Sequence, residues 1–182
     1  LSIHYGQDNA VKLITANKSD LDKLAKALGA EDIGFFCLYF MSDTFVVKDT
    51  NVARQLSEGH YELWEIANSI FIKDEYDKAA VIEPRGFAKT TIFDMAAATW
   101  LHCYKKSLFT LIGAKTDTDS VQFLDSIKKV LNENKKIIRN FGRLVDPKKF
   151  KVNANEMELT NGTYLRTVGS GTSVRGANWG IR

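Results

Sequence analysis

Val81-Ile82-Glu83-Pro84-Arg85-Gly86-Phe87-Ala88-Lys89-Thr90-Thr91 is the stretch that decides the reading of this chain. It passes from apolar residues through a tight turn into a segment headed by Lys-Thr-Thr. A phosphate-binding loop is built this way. Small residues let backbone N–H groups close around phosphate oxygens, and the start of the following helix adds partial positive charge. A Lys then reaches the β- and γ-phosphates, and the next hydroxyl ligates Mg²⁺. Gly86, Lys89 and Thr90 fill these roles, and Thr91 adds a second hydroxyl. The general pattern has Gly at the first position and again before the Lys, where this chain carries Glu83 and Ala88. A positive φ at position 88 would cost an alanine ~1–2 kcal/mol. Arg85 places a second cation in the loop, able to hold phosphate oxygens bidentately. The alternative is a strand-to-helix turn with an incidental Lys-Thr-Thr start.

The surroundings decide between these. Ala79-Ala80-Val81-Ile82 reads as a short buried strand. Lys89 to Tyr104 reads as an Ala-rich helix with Ile92, Phe93, Ala96, Ala97 and Trp100 on its inner side. Ser107 to Gly113 is a second buried strand, and Thr116 or Asp117 caps a helix in which Val121, Leu124, Ile127 and Leu131 recur at three- and four-residue steps. Strand–helix–strand–helix alternation predicts an α/β fold with a parallel sheet and crossover helices. Residues 156–160 and 163–168 flank Asn161-Gly162, a strong hairpin signal.

The first third reads as helical. Ser19 is expected to cap a helix, with Asp22 as box partner, and Gly29 to stop it after Leu21, Leu24 and Leu28. A very apolar segment follows at Glu31 to Met41, then a third helix from about Asn51 to Ile70. His60 is expected at a surface or boundary position. The expected division is a helical lead-in over 1–72 and a phosphate-loop domain over 73–182.

The composition, with 45% hydrophobic and 26% charged residues, is that of a soluble globular domain, and no apolar run approaches the ~20 residues of a membrane span. Without a basic-then-apolar leader, the expected compartment is the cytoplasm. Cys37 and Cys103 stand far apart in apolar contexts, away from any zinc-like spacing, and are expected to be buried reduced thiols. A net charge of +3 implies no particular partner. From Lys128 to Lys151, however, there are nine Lys or Arg residues against the two acids Glu133 and Asp146. Such a run either tracks a nucleic-acid backbone or is the solvated face of a helix and its following loop.

With these residues in hand, the chain resembles the N-terminal ATPase domain of the bacteriophage terminase large subunit, over roughly residues 54 to 182. The loop Pro84-Arg85-Gly86-Phe87-Ala88-Lys89-Thr90-Thr91 is similar to that family's deviant phosphate loop, which has an Arg early in it. Thr110-Leu111-Ile112-Gly113-Ala114-Lys115-Thr116 and the amphipathic helix after it, ending at Asn132-Glu133-Asn134, are similar to the second strand and helix. Asn161-Gly162-Thr163 and Gly169-Ser170-Gly171-Thr172-Ser173-Val174-Arg175-Gly176 are similar to a strand pair followed by a glycine-flanked arginine turn.

The resemblance implies an additional-strand P-loop ATPase fold and translocation of double-stranded DNA into a procapsid, driven by ATP hydrolysis. Lys89 would hold the phosphates, Thr90 would bind Mg²⁺, and Arg85 would sit at the γ-phosphate. Residues Arg85, Gly86, Phe87, Ala88, Lys89, Thr90 and Thr91 would form the ATP-phosphate site, and Arg175 would act as a finger on a neighbouring subunit's ATP. Implied partners are DNA, the portal protein, the small terminase subunit and further copies in a ring, in the host cytoplasm and transiently docked on the procapsid, with no membrane. The strand bearing the paired Mg²⁺ carboxylates and the nuclease domain would lie beyond Arg182, so this fragment is expected to bind nucleotide weakly without turnover. Rival readings are a helicase-like P-loop ATPase and a non-catalytic DNA-binding module using the basic stretch 128–151.

Overall fold

The computed structural model describes residues 18–45, 56–84 and 86–170. The fold is mixed α/β, with a small three-stranded sheet. In chain order, α1 is Lys18–Glu31, α2 Ile33–Phe40, α3 Ser42–Phe45 and α4 Glu58–Phe71. A helix beginning at Lys89 is π-helical over Thr91–Ala97 and continues as α5, Ala98–Cys103. Then come β1 (Phe109–Ala114), α6 (Asp117–Glu133), α7 (Lys135–Phe141), β2 (Glu156–Glu158) and β3 (Tyr164–Gly169).

The sheet order is β1-β3-β2, with β1 parallel to β3 and β2 antiparallel to it. Phe109 pairs with Tyr164 and Ala114 with Gly169, while Met157 faces Leu165 across the hairpin. The hairpin closes as Asn161-Gly162 suggested. Leu159 N–H donates to Thr163 O at 2.8 Å, Gly162 N–H donates to Leu159 O at 2.9 Å, and Gly162 takes φ +87°. A three-residue loop with its last residue left-handed suits glycine. Helix α6 packs across β1 and β3. Thr116 caps it by accepting Asp119 N–H at 3.1 Å, and Leu124, Ile127 and Leu131 are fully buried.

The N-terminal helices share one core with the sheet region, which runs continuously from Ala25 to Leu165. Phe35, Phe36 and Phe40 of α2 are completely buried, each contributing ~1.5–3 kcal/mol by leaving water. Asp32 caps α2, its carboxylate accepting Gly34 N–H at 2.7 Å and Phe35 N–H at 3.2 Å. Cys37 and Cys103 are buried free thiols, as read from the sequence, and burial raises both thiol pKa values. His60 is half-buried and bonded to Ser57 Oγ at 2.7 Å. No helix among the described residues is long and apolar enough to cross a membrane.

Four expectations are corrected. Residues 79–82 form no strand; Ala79 and Ala80 are exposed and Ile82 is 93% exposed. Apolar β-formers become a strand only where a neighbour takes their N–H and C=O groups, and no described residue does so here. Gly29 does not stop α1, which runs on to Glu31. Its bare backbone instead lets Phe40 and Tyr104 close in, and its carbonyl accepts Trp100 Nε1–H at 2.6 Å. Ser19 falls inside α1 rather than before it. Of the third predicted helix, Val52 lies outside the described residues, and the helix itself is Glu58–Phe71.

Candidate nucleotide-phosphate site

The loop ahead of Lys89 bends through two left-handed residues, Gly86 at φ +92° and Ala88 at φ +55°. Gly86 adopts this freely, whereas Ala88 carries the strain its Cβ imposes. The second bend turns the chain directly into the helix: Ile92 N–H donates to Ala88 O at 2.9 Å. A backbone that reverses at residue 88 and starts a helix at residue 89 directs the first helical N–H groups, which lack intrahelical acceptors, toward the loop mouth. Phe87 pins the loop from outside, its ring lying against Gly59 of α4.

Lys89 is half-buried, and its ammonium donates to Glu83 O and, at 2.8 Å, to Pro84 O. The cation therefore sits over the loop that its own chain forms, held by neutral carbonyls rather than a carboxylate. Thr90 is exposed and Thr91 half-buried. Both line a cleft of about 200 Å³ with Asp94, Gln122 and Ser126. Asp94 is half-buried, and desolvation raises its pKa. The sequence reading passed over Asp94 and Gln122. The available signal was an acid four residues after Thr90 in an otherwise apolar, Ala-rich helix.

The cleft lies between the start of the Lys89 helix and α6. Helix α6 leaves the C-terminal end of β1, and Gln122 is on its second turn. The exit of β3 is tied to the same end: Ser170 N–H donates to Ala114 O at 3.1 Å and Ser170 Oγ–H to Lys115 O at 2.6 Å. The structure brings Gly86, Phe87, Ala88, Lys89, Thr90 and Thr91 together in one turn. Arg85 and Arg175 lie outside the described residues.

The donor set fits nucleotide phosphates and a hard divalent cation. Mg²⁺ is usually held by one or two carboxylates together with phosphate and water, so the exposed Thr90 hydroxyl would supply one neutral oxygen of such a shell and not the whole protein share. Among the described residues no group of three or more His, Cys, Asp or Glu side chains gathers into a metal site of its own.

Four of the nine basic residues in the stretch 128–151 are engaged in structure. Lys128 pairs with Asp125 at 2.7 Å, Lys151 with Glu156 at 2.5 Å, and Arg139 with Asp22. Lys136 donates to Tyr39 O at 2.7 Å and lies over the Tyr39 ring.

At the far end of the Lys89 helix, His102 is fully buried, with Nδ1 2.8 Å from Thr163 Oγ1 and Nε2 2.9 Å from Thr110 Oγ1. Thr163 Oγ1–H donates to Asn161 Oδ1 at 2.9 Å, so it must accept from His102, which assigns the proton to Nδ1. Nε2 then accepts the Thr110 Oγ1 proton at 2.9 Å, in preference to the longer 3.4 Å contact of that hydroxyl with Ser107 Oγ. This network fixes the helix end against β1 and the hairpin, and burial lowers the His102 pKa to about 4. Comparison with protein-family models, with curated proteins and with solved structures finds no match to this chain.

Proposed function

We propose that this chain is the ATP-binding part of a viral genome-packaging motor of the terminase large-subunit type, built on an additional-strand P-loop ATPase fold. The observation that carries the reading is the left-handed backbone at Ala88, immediately before Lys89 and Thr90 at the head of a helix. The position before the Lys is the one where the general loop pattern places glycine, and this alanine keeps the conformation that glycine would supply.

In this reading Lys89 exchanges its carbonyl partners for β- and γ-phosphate oxygens, while loop and first-turn N–H groups close around the phosphates. Thr90 offers its hydroxyl to Mg²⁺, which when bound offsets charge on the phosphates. In this reading the roles of Arg85, from the loop, and Arg175, from a neighbouring copy, are to meet charge developing on the transferred phosphoryl group. In the whole protein, hydrolysis drives double-stranded DNA into the procapsid, on a ring docked to the portal.

The test is Lys89→Ala. A charge-assisted hydrogen bond contributes ~1.5–3 kcal/mol, so ATP affinity measured by titration calorimetry with Mg²⁺ falls by about 10- to 100-fold. The melting temperature holds, and in the full-length protein ATPase activity is lost. A folded Lys89→Ala protein that keeps its ATP affinity or its ATPase activity sinks the assignment.

A further inference from the structure

We propose that the end of the molecule where the Lys89 helix terminates is a nucleic-acid-backbone contact surface built from Lys26, Lys105, Lys106 and Arg143. It lies about 20 Å along the helix from the phosphate loop, given a rise of about 1.5 Å per residue. The inference does not rest on nucleotide binding.

The carrying observation is a cation kept where a glycine would be more comfortable. Helix α5 closes with Lys106 N–H donating to Leu101 O at 2.8 Å and Lys105 N–H to His102 O at 3.4 Å. This is the glycine-favouring C-terminal motif, yet the left-handed position, at φ +55°, is occupied by Lys105. Lys105 and Lys26 line one cleft of about 290 Å³ with Tyr104, Phe141 and Asn161, and no carboxylate lines it. Arg143 lies between Phe141 and Leu144 of the same wall, its carbonyl held by Thr160 Oγ–H at 3.0 Å. All four cations are exposed, and among the described residues none forms an ion pair. The helix C-terminus attracts a cation by its dipole, but that effect fades within one turn and does not require Lys26 or Arg143.

Among the described residues none of the four meets a carboxylate, although Lys26 Nζ–H donates to Asn140 O at 3.1 Å and lies over the Phe141 ring. Together these cations from three separate segments make an extended positive face. That spread suits successive phosphates of a duplex, with Asn161 at hand as a neutral hydrogen-bonding group. Arg143 is the one member of the basic stretch 128–151 placed on this face, whereas Lys128, Lys136, Arg139 and Lys151 of that stretch already serve the fold.

The experiment is fluorescence anisotropy of a short DNA duplex with the 182-residue chain, across salt from about 0.05 to 0.2 M. The variant is Lys105→Asn/Lys106→Gln/Arg143→Gln. Asparagine tolerates the left-handed backbone, so charge is removed without adding strain. The control is Lys148→Gln/Lys149→Gln. Each lost phosphate contact reduces the log–log salt slope by ~0.9, so the triple variant loses roughly 3 in slope and at least about tenfold in affinity at ~0.1 M salt. The control keeps the parent slope. An unchanged slope in the triple variant overturns the proposal, as does an absence of DNA binding by the parent chain. Displacement of the duplex by poly-glutamate of matched charge, as readily as by DNA, overturns nucleic acid as the partner. ATP titration of the same samples reports on the phosphate loop separately.

Discussion

The Phe87 ring occupies the space that a side chain on Gly59 would take: a Cβ there would stand 3.2 Å from Phe87 Cε1 and 3.3 Å from Cδ1. Helix α4, belonging to the part expected as a helical lead-in, therefore sets the outer position of the phosphate loop. Gly59→Ala is expected to push Phe87 outward and loosen the loop around Lys89. Because alanine favours helix, by less than the ~1 kcal/mol of a helix interior at this early position, stability should not fall. The expected signature is a several-fold loss of ATP affinity at an unchanged or slightly raised melting temperature. A loss of affinity that tracks a loss of stability would instead mean that the helix itself was damaged.

Ala88 makes the opposite prediction. Its left-handed backbone carries a strain of ~1–2 kcal/mol that glycine lacks, partly offset by the greater freedom glycine has in the unfolded chain. Ala88→Gly should leave stability level or raise it by up to about 1 kcal/mol, with ATP affinity retained. Ala88→Val should lose both, since β-branched residues tolerate positive φ worst. Denaturant midpoints and ATP titrations on the pair check the ordering.

What the sequence disclosed follows the range of the forces involved. Helix α6 was legible from Thr116 to Leu131 because its cap and its three- and four-residue spacing are local, and so was the hairpin at Asn161-Gly162. The loop at 84–91 was legible as a motif, whereas its anchoring by Gly59 was not, since that contact joins residues 28 positions apart. Residues 79–82 carried the composition of a strand, but pairing is a property of two segments, and only one could be inspected. Gly29 is the same lesson for helices. Locally it reads as a stop, while the aromatic wall that needs its bareness comes from Phe40 and Tyr104.

That wall gives a third prediction. A Cβ on Gly29 would stand 2.6 Å from Tyr104 Oη and 3.2 Å from Phe40 Cε2. Tyr104 cannot simply retreat, because its hydroxyl donates to Lys26 O at 2.7 Å. Gly29→Ala should therefore destabilise by about 1–3 kcal/mol through overpacking, against a helix-propensity gain of about 1 kcal/mol. Adding Tyr104→Phe removes the clashing oxygen, so the double variant should be more stable than additivity from the two single variants allows. Strict additivity in urea unfolding would show that the clash is absorbed elsewhere.

The buried histidine ties stability to pH with a definite sign. His102 is neutral in the fold with its pKa lowered to about 4, against an ordinary value of 6.5. As pH falls below 6.5 the unfolded chain takes up a proton that the folded chain refuses, so stability declines as pH falls from 6.5 toward 4 and levels off below that. The ceiling is about 3 kcal/mol at 1.36 kcal/mol for each pH unit. Glu156 acts in a lower window. Desolvation opposes its ionisation, but hydrogen bonds from Lys151, Tyr164 and Asn153 prevail and hold it at about 2, so its contribution is lost only between 4.5 and 2. The two windows barely overlap, which lets one variant separate them. His102→Gln keeps groups able to meet Thr110 and Thr163 but does not titrate. Between about pH 7 and about pH 5 its urea midpoint should stay flat while that of the parent falls. An equal fall in both would assign the acid sensitivity to the carboxylates and leave His102 as an ordinary buried hydrogen-bonding group.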